Sequence, residues 1–395
     1  MSSGAQQSRS LSIIPLCEPE LQGNEWKYLK ECLDTGWVSS LGAFVEQLES
    51  EVASYVGAEN AIAVASGTAG LHVALRVVGV EPGDEVIVSD LSFVSAPNAV
   101  NYCGAKPIFM DASEKTWQMD TDKLKSFLEE ECHVDSNGCW NRTTGKRIRA
   151  IVPVHILGLS CDMQRITELA KKHRVIVVED AAEALGVRVD DQHVGTFGAI
   201  GVFSFNGNKI LTTGGGGMLV TNDASYAKRA RYLTTQAKDD PLEYLHNEIG
   251  YNYRLSNLHA ALGVAQMERI QHFIKRKLNI ALNYEREFES LDGVTLMPRP
   301  DGVVPTFWLY TVLLRDDVSI PERKKFIAAL RDNGIGARPL WHPLNQLNPY
   351  QTCQAYRIEA SKDLYRRAVS LPSSVGLDPT AQTRCIETFK KLLSE

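Results

Sequence analysis

A chain of 395 residues exceeds what one hydrophobic core usually serves, which predicts two domains, or a large domain with a smaller lobe, and excludes a short binding module. With 44% apolar and 23% charged residues it has the composition of a soluble globular protein. Its 42 basic against 48 acidic side chains, a formal net charge of −6, lack the basic excess that nucleic acid or an anionic membrane surface calls for; the densest cationic run is Lys275, Arg276, Lys277.

The opening MSSGAQQSRSLSIIP holds an apolar stretch too short for a secretory segment, and no later run approaches the ~20 residues of a membrane span, so the predicted address is the cytoplasm. Only the first ten residues read as disordered. Eight cysteines are scattered without a CxxC pair, which argues against a zinc ribbon and a disulfide framework; they read as reduced thiols, and no metal is expected. Asn141, Arg142 and Thr143 spell a glycosylation sequon that has no role without a secretory signal.

From about residue 60 to 220, short β-branched runs (AIAVAS, EVIVSD, KPIFMD, RAIVPV, VIVVED) alternate with helical patterns. In DMQRITELAKKH, Ile166, Leu169, Ala170 and His173 share one helical face, and VIVVED is apolar enough to be buried on both faces. The rhythm predicts an α/β fold with a mostly parallel, doubly wound sheet. Two features interrupt it: a polar stretch from Glu131 to Lys146 reads as a surface insertion, and VRVDDQHVG as a hairpin turning at Asp190, Asp191 and Gln192. After Asn257 a long helical pattern to about Phe288, a Gly/Pro-rich segment, a strand in TFWLYTVLLR and two further helices predict a smaller α+β domain over 265–395, after a large α/β domain over 1–264.

No P-loop, GxGxxG, HExxH or GxSxG motif is present, which lowers the case for Walker ATPases, dinucleotide dehydrogenases, zincins and α/β-hydrolases. Strand ends remain, where open α/β sheets bind their ligands. Ser66 to Gly70, between a strand and a helix, offer small hydroxyl-bearing residues at a helix N-terminus: a phosphate cradle, or an ordinary capped turn. Glu179 and Asp180 close the most apolar strand, where a carboxylate is costly unless it meets a cation or caps a helix. In SFNGNKILTTGGGG, Ser204 ends a strand and Lys209 lies in a Gly/Asn-rich loop before Gly214 to Gly217; it is either a solvated surface charge or a functional amine. Together a cradle, a strand-end Asp and a loop Lys suit pyridoxal phosphate: the helix end holds the phosphate, the carboxylate keeps the pyridine nitrogen protonated, and the amine forms the Schiff base.

At these residues the chain resembles the DegT/DnrJ/EryC1/StrS sugar aminotransferases, through GWVSSLG (36 to 42), VASGTAGLHVAL, DEVIVSDLSFVSAPNAV, VPVHILGLSCDM, VVEDAAEALG, VGTFGAIGVFSFNGNKILTTGGGGMLV, GYNYRLSNLHAALGVAQ and ARPLWHPL. The resemblance implies the fold-type-I aspartate aminotransferase architecture and pyridoxal 5'-phosphate as cofactor. It implies that Lys209 carries the cofactor and shuttles a proton, and that Asp180 pairs with the pyridine nitrogen. It further implies that Thr68, the Ala69 amide and Ser204 hold the phosphate, that Phe93 stacks on the ring, that Glu183 stands near the phenolic oxygen, and that Asn206 belongs to the cofactor site. Asn252 would reach the cofactor phosphate of a neighbouring subunit in a homodimer with shared active sites. Ser39, His155, Arg254, Arg338 and His342 are candidate substrate residues; the competing readings are a buried, hydrogen-bonded histidine for His155 and domain-packing ion pairs for the arginines. Phe307, Trp308 and Tyr310 read as sheet core.

The glycine run, together with Asn206, Gly207, Asn208 and the inserted loop, resembles the branch acting on UDP-linked 4-keto-6-deoxy-N-acetylhexosamines. The expected reaction moves an amino group from L-glutamate, giving 2-oxoglutarate, to C4 of such a nucleotide-linked keto sugar for lipopolysaccharide or capsule biosynthesis. The glycines leave room for a C2 acetamido group or only shape a tight turn. GDP-4-keto-6-deoxymannose, giving perosamine, is the alternative acceptor. A non-catalytic cofactor-binding regulator is the rival from another class, and the retained Lys209 and Asp180 count against it.

Overall fold

The computed structural model describes residues 12–240 and 242–395; the first ten residues, which read as disordered in the sequence, lie outside the described residues. In chain order the strands are β1 (Asn60–Val64), β2 (Glu85–Ser89), β3 (Lys106–Met110), β4 (Cys132–Asp135), β5 (Gly138–Asn141), β6 (Arg147–Val152), β7 (Ile176–Asp180), β8 (Arg188–Val189), β9 (Gln192–His193), β10 (Ile200–Ser204), β11 (Gly217–Thr221), β12 (Val294–Thr295), β13 (Val303–Val304), β14 (Thr311–Leu314), β15 (Ala355–Tyr356) and β16 (Ala368–Ser370). The helices are α1 (Glu25–Thr35), α2 (Ala43–Val56), α3 (Gly67–Val77), α4 (Ser95–Tyr102), α5 (Thr121–Ser126), α6 (Met163–His173), α7 (Ala224–Thr234), α8 (Asn257–Met267), α9 (Ile270–Phe288), α10 (Ile320–Asp332), α11 (Ala360–Arg367) and α12 (Pro379–Ser394).

The apolar runs form one ten-stranded sheet whose main path is β1-β11-β10-β7-β6-β2-β3-β15. Along that path only β11 runs antiparallel to its neighbours, so β1, β2, β7 and β10 all end at one edge while β11 begins there. The face predicted for α6 is the buried one: Ile166, Leu169, Ala170 and His173 point inward with Met163. The stretch from Glu131 to Lys146 is more ordered than a surface insertion: β4 and β5 make a hairpin, and β5 pairs with the start of β6. The VRVDDQHVG hairpin is β8–β9, turning on Asp190 and Asp191, both at positive φ as a right-twisted two-residue turn requires.

The long helical pattern after Asn257 is broken at Glu268–Arg269 into α8 and α9, because the halves pack differently. α8 lies against α1 and α2, whereas α9 buries the stripe Ile270, Phe273, Ile280, Ala281, Tyr284 and Phe288. Beyond it, β12, β14 and β16 form an antiparallel sheet with β14 in the middle, while β15 returns to pair with β3 and β13 pairs with β8. All eight cysteines are free thiols, six of them buried. No helix of the described residues is long and apolar enough to cross a membrane.

Glu179 fixes the loop between β9 and β10. Fully buried, its carboxylate accepts from the N–H groups of Gly195 (2.7 Å), Phe197 (2.7 Å) and Gly198 (2.6 Å) and lies 3.1 Å from His155 Nε2. Cys161 N–H donates to His155 Nδ1 at 3.1 Å, which leaves the ring proton on Nε2, facing the carboxylate. Truncation strands three buried N–H donors at once. Glu179→Ala is expected to cost about 3–5 kcal/mol of stability, read as a lower midpoint in urea unfolding; a loss under 1 kcal/mol would contradict this account.

Candidate active site

Four strand ends and residues of the C-terminal part of the chain surround a cavity of about 410 Å³. From β1 come Ser66, Gly67 and Thr68, from β2 Phe93 and Ser95, from β7 Asp180 and Glu183, and from β10 Ser204, Asn206, Asn208 and Lys209; Trp308, Arg338 and Trp341 close it from the C-terminal side. The structure therefore brings together Thr68, Phe93, Asp180, Glu183, Ser204, Asn206, Lys209 and Arg338 of the candidate residues.

Ser66 caps α3: its Oγ accepts the Ala69 N–H at 3.1 Å, and its carbonyl accepts the Gly70 N–H at 3.0 Å. The Ala69 amide, expected to hold the phosphate, donates to this cap in the structure. The N–H groups of Gly67 and Thr68, in the first turn, have no partner among the described residues and point out of the positive end of the helix. The Thr68 and Ser95 hydroxyls, 3.1 Å apart, and Ser204 complete an anion cradle.

The period of two along β7 sends Glu179 and Asp180 to opposite faces. Asp180 is 4% exposed and accepts from the Ala182 N–H at 3.1 Å. No helix begins there, so the helix-cap reading fails. Burial pushes its carboxyl up to about 6; the Ala182 N–H opposes the rise, Glu183 adds to it, and Lys209 and His155 oppose it. The group lines a cavity with one donor in hand, and a cation there would meet its remaining demand.

Lys209 is held by its loop. Phe205 N–H bonds Gly216 O (2.9 Å), Phe205 O accepts the Thr213 N–H (2.9 Å), and Lys209 N–H bonds Asn206 O (3.0 Å), closing residues 205–216 on themselves. The amine lies 3.3 Å from Glu183 Oε1, whose other oxygen accepts the Leu157 N–H at 2.8 Å, and 3.9 Å above the centroid of the Trp308 ring. Most of the glycine run is demanded by this loop. Gly214 has a φ of +79°, a Cβ on Gly216 would come 2.3 Å from Thr213 Oγ1, and one on Gly217 would come 2.8 Å from Gly67 N. Gly215 alone lines the cavity with open space where a side chain would stand.

The other candidates lie off the cavity. His155 is fully buried between Glu179 and Cys161, which is its structural reading. His342 is exposed and packs on Tyr365, with ring centroids 4.9 Å apart. Arg254 Nε donates to Ser40 O at 3.1 Å and stands near Glu49, and Ser39 is exposed, its carbonyl accepting the Asn257 N–H at 2.6 Å. Asn252 is exposed and bridges to Thr235. Arg338 faces the cavity in no ion pair among the described residues, 5.5 Å from the Trp308 centroid, and burial pulls its guanidinium below the usual range. Trp308 corrects the sheet-core reading: β14 starts only at Thr311, and the Trp308 indole N–H donates to Asn208 O at 2.6 Å. Sequence reasoning also missed Ser95, Asn208 and Trp341; three aromatics within the four residues 307–310, ahead of a four-residue strand, were the available signal for Trp308.

A family model for the DegT/DnrJ/EryC1/StrS aminotransferase family matches residues 19–390. The chain belongs to that family. It is similar to the GDP-perosamine synthases of Escherichia coli O157:H7 (37% identity over 386 residues, 98% of this chain and 100% of that one) and Caulobacter vibrioides (36% over 387 residues, 97% and 99%). It superposes on the crystal structure of the aminotransferase TlmJ from Streptoalloteichus hindustanus with a TM-score of 0.87 at 28% identity, covering 97% and 99% of the two chains. The architecture is fold-type I, and this family member is a pyridoxal-phosphate-dependent aminotransferase.

The residues fit that cofactor: an anion cradle with two donors to spare, a buried carboxylate short of donors, and an amine in one cavity. Bound there, pyridoxal phosphate supplies the electron sink for breaking the donor's α-C–H bond. Without it, the raised Asp180 pKa means that the folded chain holds the proton more tightly than the unfolded one. The associated stability is present below the ordinary value near 3.8 and is lost as pH climbs to about 6. Asp180→Asn in the cofactor-free protein should therefore gain up to about 3 kcal/mol over the parent above pH 6 and almost nothing at about pH 3, measured by thermal unfolding across that range.

Proposed function

We propose that this aminotransferase moves an amino group from L-glutamate to C4 of a nucleotide-linked 4-keto-6-deoxy sugar, releasing 2-oxoglutarate, as a cytoplasmic step toward a surface glycan. The observation that carries the reading is the meeting of Lys209, Asp180 and the unpaired Arg338 guanidinium at one cavity. Lys209 Nζ, beside Glu183, is the base that moves the proton from the donor's α-carbon. Arg338 takes a donor carboxylate, for which its planar fork is suited. The Gly67 and Thr68 amides and the Ser204 hydroxyl hold the cofactor phosphate, and Phe93 covers the ring. Eight free thiols suit a reducing compartment.

Two acceptors have support. The similarity to two GDP-perosamine synthases, at 36% and 37% identity over nearly the whole chain, favours GDP-4-keto-6-deoxymannose. The space above Gly215 favours a sugar with a C2 acetamido group on UDP. Turnover with glutamate on GDP-, UDP- and dTDP-linked 4-keto sugars decides between them, and product NMR with nitrogen at C3 would overturn the C4 assignment. Gly215→Glu fills the open space without strain. If the sugar uses that space, the variant should lose at least tenfold in the sugar half-reaction and less than twofold in the glutamate half; equal losses would sink the idea.

The homodimer with shared sites is part of the same proposal. Trp26, Leu33, Trp37, Val38 and Leu41 form an exposed apolar surface on α1 and the loop after it, and exposed Asn252 lies off its own cavity. Borohydride trapping should label Lys209 and no other lysine. Mixed Lys209→Ala and Asn252→Ala subunits, refolded together, should recover about a quarter of wild-type activity if each site draws on both chains; no recovery beside working controls would remove Asn252 from the site.

A further inference from the structure

A second cavity, about 360 Å³, opens in the C-terminal lobe, and a buried cation without a partner sits in its wall. Arg323, Lys324, Arg331 and Asp332 of α10 line it, facing Pro339 and Tyr365. Arg323 is fully buried, and its Nε, Nη1 and Nη2 find no hydrogen-bond partner among the described residues. Its guanidinium carbon lies 4.6 Å from the centroid of the Tyr365 ring. A cation–π contact offsets only part of what removing an ion from water costs.

The surroundings add charge of the same sign. Lys324 and Arg331 are exposed at the rim, and neither forms an ion pair among the described residues. Arg331 commits its Nε to Ala337 O at 2.9 Å, which fixes its planar head. The spacing of Arg323, Ile327 and Arg331 by four puts all three on one helical face. Three cations thus surround the cavity against the single carboxylate of Asp332. None of these residues lines the Lys209 cavity.

We propose that this cavity binds a small oxyanion, a carboxylate or a phosphate group, bonded by Arg323 at its floor and by Lys324 and Arg331 at its rim. A guanidinium meets either group through paired N–H donors, and the ligand supplies the acceptors that the fold withholds from Arg323.

The test uses the holoenzyme, whose α3 cradle is already filled and does not compete for the probe. Inorganic phosphate and succinate are titrated separately, in low-salt buffer, into wild type and Arg323→Met by isothermal titration calorimetry. Wild type should bind at least one of them, and the component that belongs to this cavity should weaken tenfold or more in Arg323→Met. Tighter binding of phosphate assigns a phosphate ligand, and the reverse a carboxylate. Arg323→Met should also unfold no earlier than wild type in low salt, because an apolar chain of similar length replaces an unmet charge. Should that variant not fold, Lys324→Gln, altered only at the exposed rim, should weaken the same component at an unchanged thermal midpoint. Absence of binding to wild type, or equal binding by wild type and the variants, would overturn the proposal.

Discussion

A carboxylate short of donors at the end of β7 sets the terms for the active site. Glu179 and Asp180 are neighbours on one strand, yet the first is surrounded by three backbone amides and a ring nitrogen while the second has a single amide. The asymmetry follows from the pleat: one face of the strand end abuts the loop into β10, and the other opens on the cavity. Glu179 holds the backbone on which Asp180 stands, and Asp180 is left facing the cavity with a demand that its single donor does not meet. Stability is given up at one position so that affinity is available there.

The amine opposite is positioned from both halves of the chain. Asn208, which precedes Lys209, has its carbonyl engaged by the Trp308 indole and, at 3.2 Å, by the Cys17 thiol. Buried Lys277 in turn donates to the carbonyls of Trp308 (2.9 Å) and Ser373 (2.6 Å), and burial pulls its ammonium below the usual range. The loop bearing Lys209 is thus backed by residues of α9, of the segment before β14 and of the N-terminal segment. Trp308 has no room to retreat, since its backbone presses on Gly158, where a Cβ would come 2.5 Å from Trp308 N.

Much of this was legible in the residues. The β-branched runs located the strands of the large sheet, because buried parallel strands need continuous apolar character. Asp180 and Lys209 stood out for the converse reason: charge directly after such strands has to be answered by something. What was not legible depends on packing between distant segments. Trp308 looks like any strand aromatic until β14 is seen to start three residues later. His155 looks like a pocket residue until Glu179 is found against it. The four glycines look alike in sequence, and only their neighbours in space separate Gly215, which faces open volume, from Gly216 and Gly217, which have none to spare.

The two ends of the described chain are sewn together. Ile14 bonds through its backbone to Gly334 and Gly336, Glu18 N–H donates to Ser374 Oγ, and β15, at residues 355 and 356, is the strand that extends the sheet beyond β3. Contacts of such sequence separation close late and slowly. On the ribosome, β3 therefore emerges as a sheet edge and waits for roughly 250 further residues, on the order of tens of seconds at ordinary synthesis rates, before its partner exists. During that interval its unpaired amides and carbonyls offer a template to any passing strand. A chain truncated ahead of residue 355 would keep Cys17, Lys277 and Trp308 behind the Lys209 loop and still leave that edge of the sheet bare.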